Sequence, residues 1–141
     1  MENPHFSSPQ IDGRQHLAER AADCMLRSFG ATQITLRIAE PSTGDTDTQL
    51  GITTPTVEDV PLSPTVVRMV SAPSETRLRY EVLLGLSTLK QAIAMYNVTD
   101  VAAWLLTAVG LVYRDTLLHV NTVMVDHYAG SEYLYRVFAS E

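Results

Sequence analysis

Between Arg77 and Leu86 apolar residues recur at every second position, and the last segment alternates too, first with Leu117, His119, Asn121, Val123 and Val125 on one side and Leu118, Val120 and Met124 on the other. In the first segment Leu78, Tyr80, Val82, Leu84 and Leu86 alternate with Arg77, Arg79, Glu81, Leu83 and Gly85. Successive side chains of an extended strand point to opposite faces, so a period of two demands strands and a sheet that buries one face. The second side of this segment starts charged and turns apolar. A strand of that kind enters at an exposed end and runs into the middle of a fold. The later segment breaks at Ala129-Gly130-Ser131, a turn sequence, and resumes as Tyr133, Tyr135 and Val137 alternating with Leu134, Arg136 and Phe138. Aromatic and β-branched residues suit the cross-strand pairs of a hairpin. Ile34, Leu36 and Ile38, alternating with Thr35 and Arg37, predict one more strand, stopped by Pro41.

Elsewhere the period changes to that of a helix. Leu17, Ala21, Cys24, Met25 and Phe29 recur at helical spacing, with Arg14, Glu19, Arg20, Asp23 and Arg27 on the other side. This predicts an amphipathic helix over 13–29, opened by an Asp12–Gln15 capping pair and ended by Gly30. Thr88 and Gln91 repeat the capping spacing ahead of Leu89, Ala92, Ile93 and Tyr96, and Asn97 breaks that helix. Thr99 or Asp100 starts the next, with Val101, Trp104, Leu105, Ala108 and Val109 on its buried face and Gly110 at its end.

The expected fold is therefore α+β in a single domain over 1–141. An antiparallel sheet or small barrel is expected from strands near 32–39, 64–71, 76–87, 114–127 and 132–139. The helices at 13–29 and 88–109 pack on one face, and 1–11 form an N-terminal arm. The expected core is Leu17, Cys24, Phe29, Leu36, Tyr80, Val82, Leu84, Trp104, Leu105 and Val137.

Residues 40–66 differ in kind. Five prolines and glycines fall between Pro41 and Pro61, threonine recurs, and no Lys or Arg occurs between Arg37 and Arg68. So long a connection in a compact domain is functional or disordered. Short strands fit at Thr56–Val60 and Thr65–Val70, and one reading of the whole segment is a solvated surface loop. The other is an acidic arm that reaches a neighbouring subunit, burying Leu50, Ile52, Val57, Val60 and Leu62 by strand addition. In that reading its carboxylates, Glu58 and Asp59 among them, meet Arg68, Arg77 or Arg79 across the interface.

At 141 residues the chain can bury roughly 70% of its unfolded surface. Hydrophobic residues at 45% and charged ones at 18% exclude general disorder. The net charge of −6, from 16 acids and 10 bases, speaks against wrapping nucleic acid or lying on an anionic membrane. The longest apolar run, Val101 to Tyr113, is too short for a helix to span a bilayer of ~30 Å. Met1–His5 show no basic region followed by an apolar run, so no secretory signal is expected. One cysteine, Cys24, can form neither an internal disulfide nor a cysteine-based zinc site. His5, His16, His119 and His127 form no metal-binding helical pair, and there is neither a glycine-rich phosphate loop nor a Gly-x-Ser-x-Gly elbow. No catalytic residue, metal site or cofactor is nominated.

The order of helix, strand, long Pro/Thr segment, strand, helical pair and hairpin resembles small structural proteins of tailed bacteriophages. Thr48-Gln49-Leu50-Gly51, Val57 through Pro64, and Tyr133-Leu134-Tyr135-Arg136-Val137 are similar to runs in phage neck-region proteins. These are the head-closure and tail-terminator proteins between the portal vertex and the tail. The resemblance implies a virion protein that forms a homo-oligomeric ring at the head–tail junction, assembled in the bacterial cytoplasm. Its partners would be copies of itself and other neck or tail proteins, with DNA only in passage and no membrane. Asp45 and Asp47, with Glu58 and Asp59, would then be candidates to face the lumen and repel phosphate. The alternatives are a cytoplasmic enzyme or small-ligand-binding domain, and a non-viral interaction module.

Overall fold

The computed structural model describes residues 9–30, 32–39, 56–70, 74 and 76–141, with the side chains of the first helix from His16 onward. The helix α1 (Pro9–Ser28) leads to strands β1 (Thr32–Ala39), β2 (Val57–Met69) and β3 (Arg79–Gly85). Helices α2 (Leu86–Met95) and α3 (Val101–Thr107) follow, and then β4 (Gly110–Tyr113), β5 (Thr116–Tyr128) and β6 (Ser131–Ser140). The six strands close into an antiparallel barrel in the order β1-β2-β3-β6-β5-β4.

The alternation read in the sequence decides which side chains fill the barrel. Ile34, Leu36 and Ile38 of β1, Leu62 of β2, Val82 and Leu84 of β3, Leu111, Leu118, and Tyr135, Val137 and Ala139 of β6 all point inward and are buried. An eight-stranded barrel is only just wide enough for side chains to fill it, so a six-stranded one has a packed interior. Leu89 of α2 with Val101 and Leu105 of α3 join the same core. Asp100 caps α3 by accepting from the Ala103 amide at 3.1 Å. Gly30, at φ +111°, ends α1 in the left-handed region that glycine tolerates.

Several expectations need correction. Leu17, Cys24 and Phe29 are exposed, not core, whereas Leu36, Val82, Leu84, Leu105 and Val137 are buried and Tyr80 and Trp104 are packed against the core in part. The expected strand at 64–71 is longer and starts earlier: β2 begins at Val57 and pairs with β1 from Val57↔Ala39 to Thr65↔Thr32. The later half of the segment read as a loop is thus barrel wall. The 1–8 stretch and residues 40–55, including Asp45, Asp47, Leu50 and Ile52, lie outside the described residues. The helical pair expected over 88–109 is present as α2 and α3, but α2 starts earlier, at Leu86, α3 ends at Thr107, and Gly110 opens a strand, β4, that the apolar run Val101–Tyr113 concealed. Thr88 does not cap α2, whose N-cap is Gly85. Its hydroxyl donates instead to the Pro64 carbonyl at 2.9 Å and ties α2 to β2.

A groove beneath the first helix

Helix α1 lies across the outer faces of β2, β3 and β6. It meets them with Ala18, Ala22 and Leu26, a row spaced by four residues. Alanine lets the helix approach closely. Leu26, fully buried, packs against Gly85, which offers no side chain: a Cβ there would sit 3.4 Å from Leu26 Cδ1. On the α2 side Glu19 is buried and accepts from Lys90 Nζ at 2.7 Å. That charge-assisted bond supplies the partner a buried carboxylate requires.

The other flank of α1 has no such cover. Leu17 is 63% exposed and Phe29, just past the helix end, 71%. With Ala21 and Met25 they form one wall of an open groove of about 670 Å³, whose other wall is Leu83, Tyr128, Tyr133 and Leu134. Its charged lining is paired within the chain. Glu81, buried on β3, accepts from Arg68 of the facing β2 position. Asp126 of β5 accepts from Arg136 Nε at 3.0 Å and from its Nη2 at 2.9 Å. The hydrogen bond from Arg136 to Asp126, then the carboxylate's charge, holds the guanidinium above its ordinary pKa.

The remaining residues singled out in the sequence fall elsewhere. Leu62 is buried inside the barrel, so it is a core residue and not a contact with a neighbour. Val60 packs against the core in part, and Val57 is exposed at the start of β2. Asp59 is held by Arg37 of the same chain in a two-pronged pair at 2.8 and 2.9 Å. That hydrogen bond keeps the Asp59 carboxyl below the usual carboxylate range. Glu58 lies in the cleft between β2 and α2. Arg77 and Arg79 line a separate polar hollow with Asn121 and Ser140 at the opposite end of the barrel. Among the described residues the expected contact residues lie in separate places: Glu58 and Asp59 at one end of the barrel, Arg77 and Arg79 at the other, and Arg68 in the lining of the groove beneath α1. The groove's signal in the sequence was the row Leu17-Ala21-Met25, spaced by four residues, which reads equally well as a buried stripe.

Two predictions arise from these buried polar groups. Arg68→Ala is expected to cost more stability than Glu81→Gln, on the order of 1–3 kcal/mol, because it leaves a buried carboxylate without its cation. The amide of Glu81→Gln still accepts from Arg68. Equal losses in denaturant unfolding of the two variants would contradict this.

Tyr135 is fully buried and its hydroxyl donates to Glu132 at 2.6 Å. Burial first, then that hydrogen bond, pushes its phenol well above the ordinary value near 10. A raised folded pKa binds the proton more tightly in the native state. The resulting stabilisation is complete below about pH 10 and is lost as pH rises from there. Alkaline titration followed at 295 nm should show a tyrosine step that coincides with unfolding and disappears in Tyr135→Phe. A reversible, ordinary ionisation of Tyr135 in the folded chain contradicts the prediction.

Among the described residues no group of three or more His, Cys, Asp or Glu is placed to hold a metal ion, and no helix is long and apolar enough to cross a membrane. Set against models of protein families, curated proteins and solved structures, the chain matches none of them.

Proposed function

We propose that the protein is a structural subunit that assembles with copies of itself into a ring, as a head–tail connector component of a tailed phage. The observation that carries this reading is the placement of α1. Its alanine row seals the outside of the barrel while its larger apolar residues, Leu17, Met25 and Phe29, flank an open groove. Exposed apolar patches of this kind mark interaction surfaces. The packed interior of so small a barrel leaves the outer surface as the place where recognition occurs. A rigid barrel with apolar surface left on its outside suits a building block whose contacts are made by repetition.

The charge distribution supports the same reading. Glu58, Asp59, Asp100, Asp126 and Glu132 lie toward the end of the barrel where β2 and β6 begin, against Arg37 and Arg136. An acidic surface of this kind repels a passing phosphate backbone instead of gripping it. Native mass spectrometry and electron microscopy of the purified chain are expected to show a closed cyclic oligomer with a central channel. A stable monomer or a two-fold dimer overturns the ring. A second reading has one observation behind it: the groove volume falls within the ~300–1,000 Å³ of small-molecule sites. A monomer that purifies with a bound apolar metabolite would favour that reading.

A further inference from the structure

The end of the barrel where β2 and β4 finish and β3 and β5 begin carries chemistry that packing of the interior does not explain. β3 and β4 stand three strands apart in the closed order, yet Tyr80 of β3 and Tyr113 of β4 meet across the opening. Their ring centroids are 5.9 Å apart, edge to face at 65°. Aromatic pairs favour that geometry. With them lies a hollow of about 290 Å³, lined at depth by the buried Leu118 and half-buried Val67, and further out by the exposed Met69. Arg114 also lines it, with its guanidinium carbon 5.1 Å from the centre of the Tyr113 ring.

Arg114 stands apart in two ways. Arg27, Arg37, Arg68 and Arg136 each hold a carboxylate of this chain. Among the described residues the Arg114 guanidinium has neither a salt bridge nor a hydrogen bond, and it stacks on Tyr113 instead. The chain carries 16 acids against 10 bases, yet no carboxylate is among the described residues that line this hollow. The second difference is in the backbone. Arg114 and Asp115 form the two-residue turn between β4 and β5, with φ of +47° and +61°. A turn that is left-handed at both positions favours Asn-Gly, because an ordinary side chain is strained there. Strain of this kind gathers at ligand clamps. Arginine at the first position costs the hairpin stability and sets an unmatched cation at the barrel opening.

We propose that this opening is a binding site for a small aromatic anion, a single ring carrying a carboxylate or phosphate group. The anion pairs with Arg114, whose planar fork fits either oxyanion. Stacking on Tyr113 holds that fork in place before the ligand arrives, so less freedom is lost on binding. The ring packs against Tyr80, Tyr113 and Met69, where aromatic and sulfur–aromatic contacts add to the area buried. Mouths of β-barrels are recurrent ligand sites, and their volumes run from ~300 to 1,000 Å³. This hollow sits at the lower bound, with room for one ring and its charged group. The groove beneath α1 differs on the deciding point, since its arginines are already paired with Glu81 and Asp126. The site does not depend on whether copies of the chain assemble.

Benzoate and phenyl phosphate are the ring anions that test it. Benzamide and phenol are their neutral counterparts, and acetate and inorganic phosphate supply each anion without a ring. Calorimetry and proton NMR of the tyrosine rings read the binding. At least one ring anion is expected to bind and to shift the Tyr80 and Tyr113 resonances. Its neutral counterpart and its ringless anion should bind about ten-fold more weakly, or worse, the worth of a charge-assisted hydrogen bond. Binding of benzoate alone assigns the site to carboxylic acids and binding of phenyl phosphate alone to phosphate esters, and either supports it. Arg114→Asn should weaken the ring anion by about ten-fold or more. Its thermal melt should stay level or rise, because asparagine tolerates left-handed backbone. Arg114→Lys, which keeps the charge, should lose less. The proposal is overturned where neither ring anion shifts those resonances at about 10 mM, or where acetate or phosphate binds as tightly as the ring anion. An Arg114→Asn variant that binds like the wild type overturns it as well. So does one that melts at a lower temperature, because the guanidinium would then be kept to hold the hairpin.

Discussion

Leu26→Ala is expected to destabilise the protein by about 2–5 kcal/mol, whereas Leu17→Ala and Phe29→Ala are expected to change stability by no more than about 0.5 kcal/mol. The three residues lie in or just beyond the same helix and are all large and apolar. Leu26 is fully buried against the barrel wall, with Gly85 directly beneath it. Truncation removes its transfer energy and leaves a hole, because the alanines that precede it in the row cannot expand into it. Leu17 and Phe29 lose little that water had not already reached. Urea unfolding of the three variants measures the contrast directly. Losses of similar size at positions 17 and 26 would mean that α1 sits on the sheet by its other row, and the groove would not exist. The stability measurement therefore bears on the functional surface as well. A residue that can be truncated without cost to the fold but not without cost to assembly is a contact residue.

The same helix shows where sequence reasoning stops. Two rows run along it at a spacing of four: Leu17-Ala21-Met25 and Ala18-Ala22-Leu26. They lie about 100° apart, and the first is the more hydrophobic. Hydrophobicity alone therefore turns the wrong flank inward. The choice is made by the partner surface: a barrel wall with a glycine at one point accepts small residues and one leucine, and an acid on the third side is held by Lys90 of a helix 71 positions away. None of these facts is local. The strands were legible because alternation is local and is enforced on both faces, as at Tyr80, Val82 and Leu84 of β3. Between Val101 and Tyr113 the signal fails for a different reason. Where nearly every residue is apolar, periods of 2 and 3.6 cannot be told apart, and the switch from α3 to β4 at Gly110 is hidden. Similarly, Pro61 and Pro64 split this stretch into two short candidate strands, Thr56–Val60 and Thr65–Val70, in a segment otherwise read as a loop. Pairing with β1 along Val57–Thr65 outweighed that local preference.

Gly110→Val is expected to cost about 3 kcal/mol and to open the barrel at one seam. The barrel closes through β4 alone, which pairs with β1 only at Gly110, Leu111 and Val112, and with β5 only at Leu111, Val112 and Tyr113. A Cβ at position 110 would lie 2.4 Å from the Leu118 carbonyl oxygen and 2.8 Å from Leu117 Cδ1. The first of these is backbone of the neighbouring strand, so no rotamer change relieves the overlap and one strand must move. Overpacking of this type costs about 1–3 kcal/mol, and the branched side chain places valine at the upper end. The displaced strand also carries Leu111, fully buried, and the amide of the adjacent Val109, which donates to Arg37 at 2.9 Å. Hydrogen exchange should therefore locate the damage. Amides of β4 and of the facing parts of β1 and β5 lose protection before those of β3 and β6, which pair with each other along seven positions. Protection of β4 at the wild-type level in Gly110→Val would show that the seam yields elsewhere and that the close approach at Gly110 is not what closes the barrel.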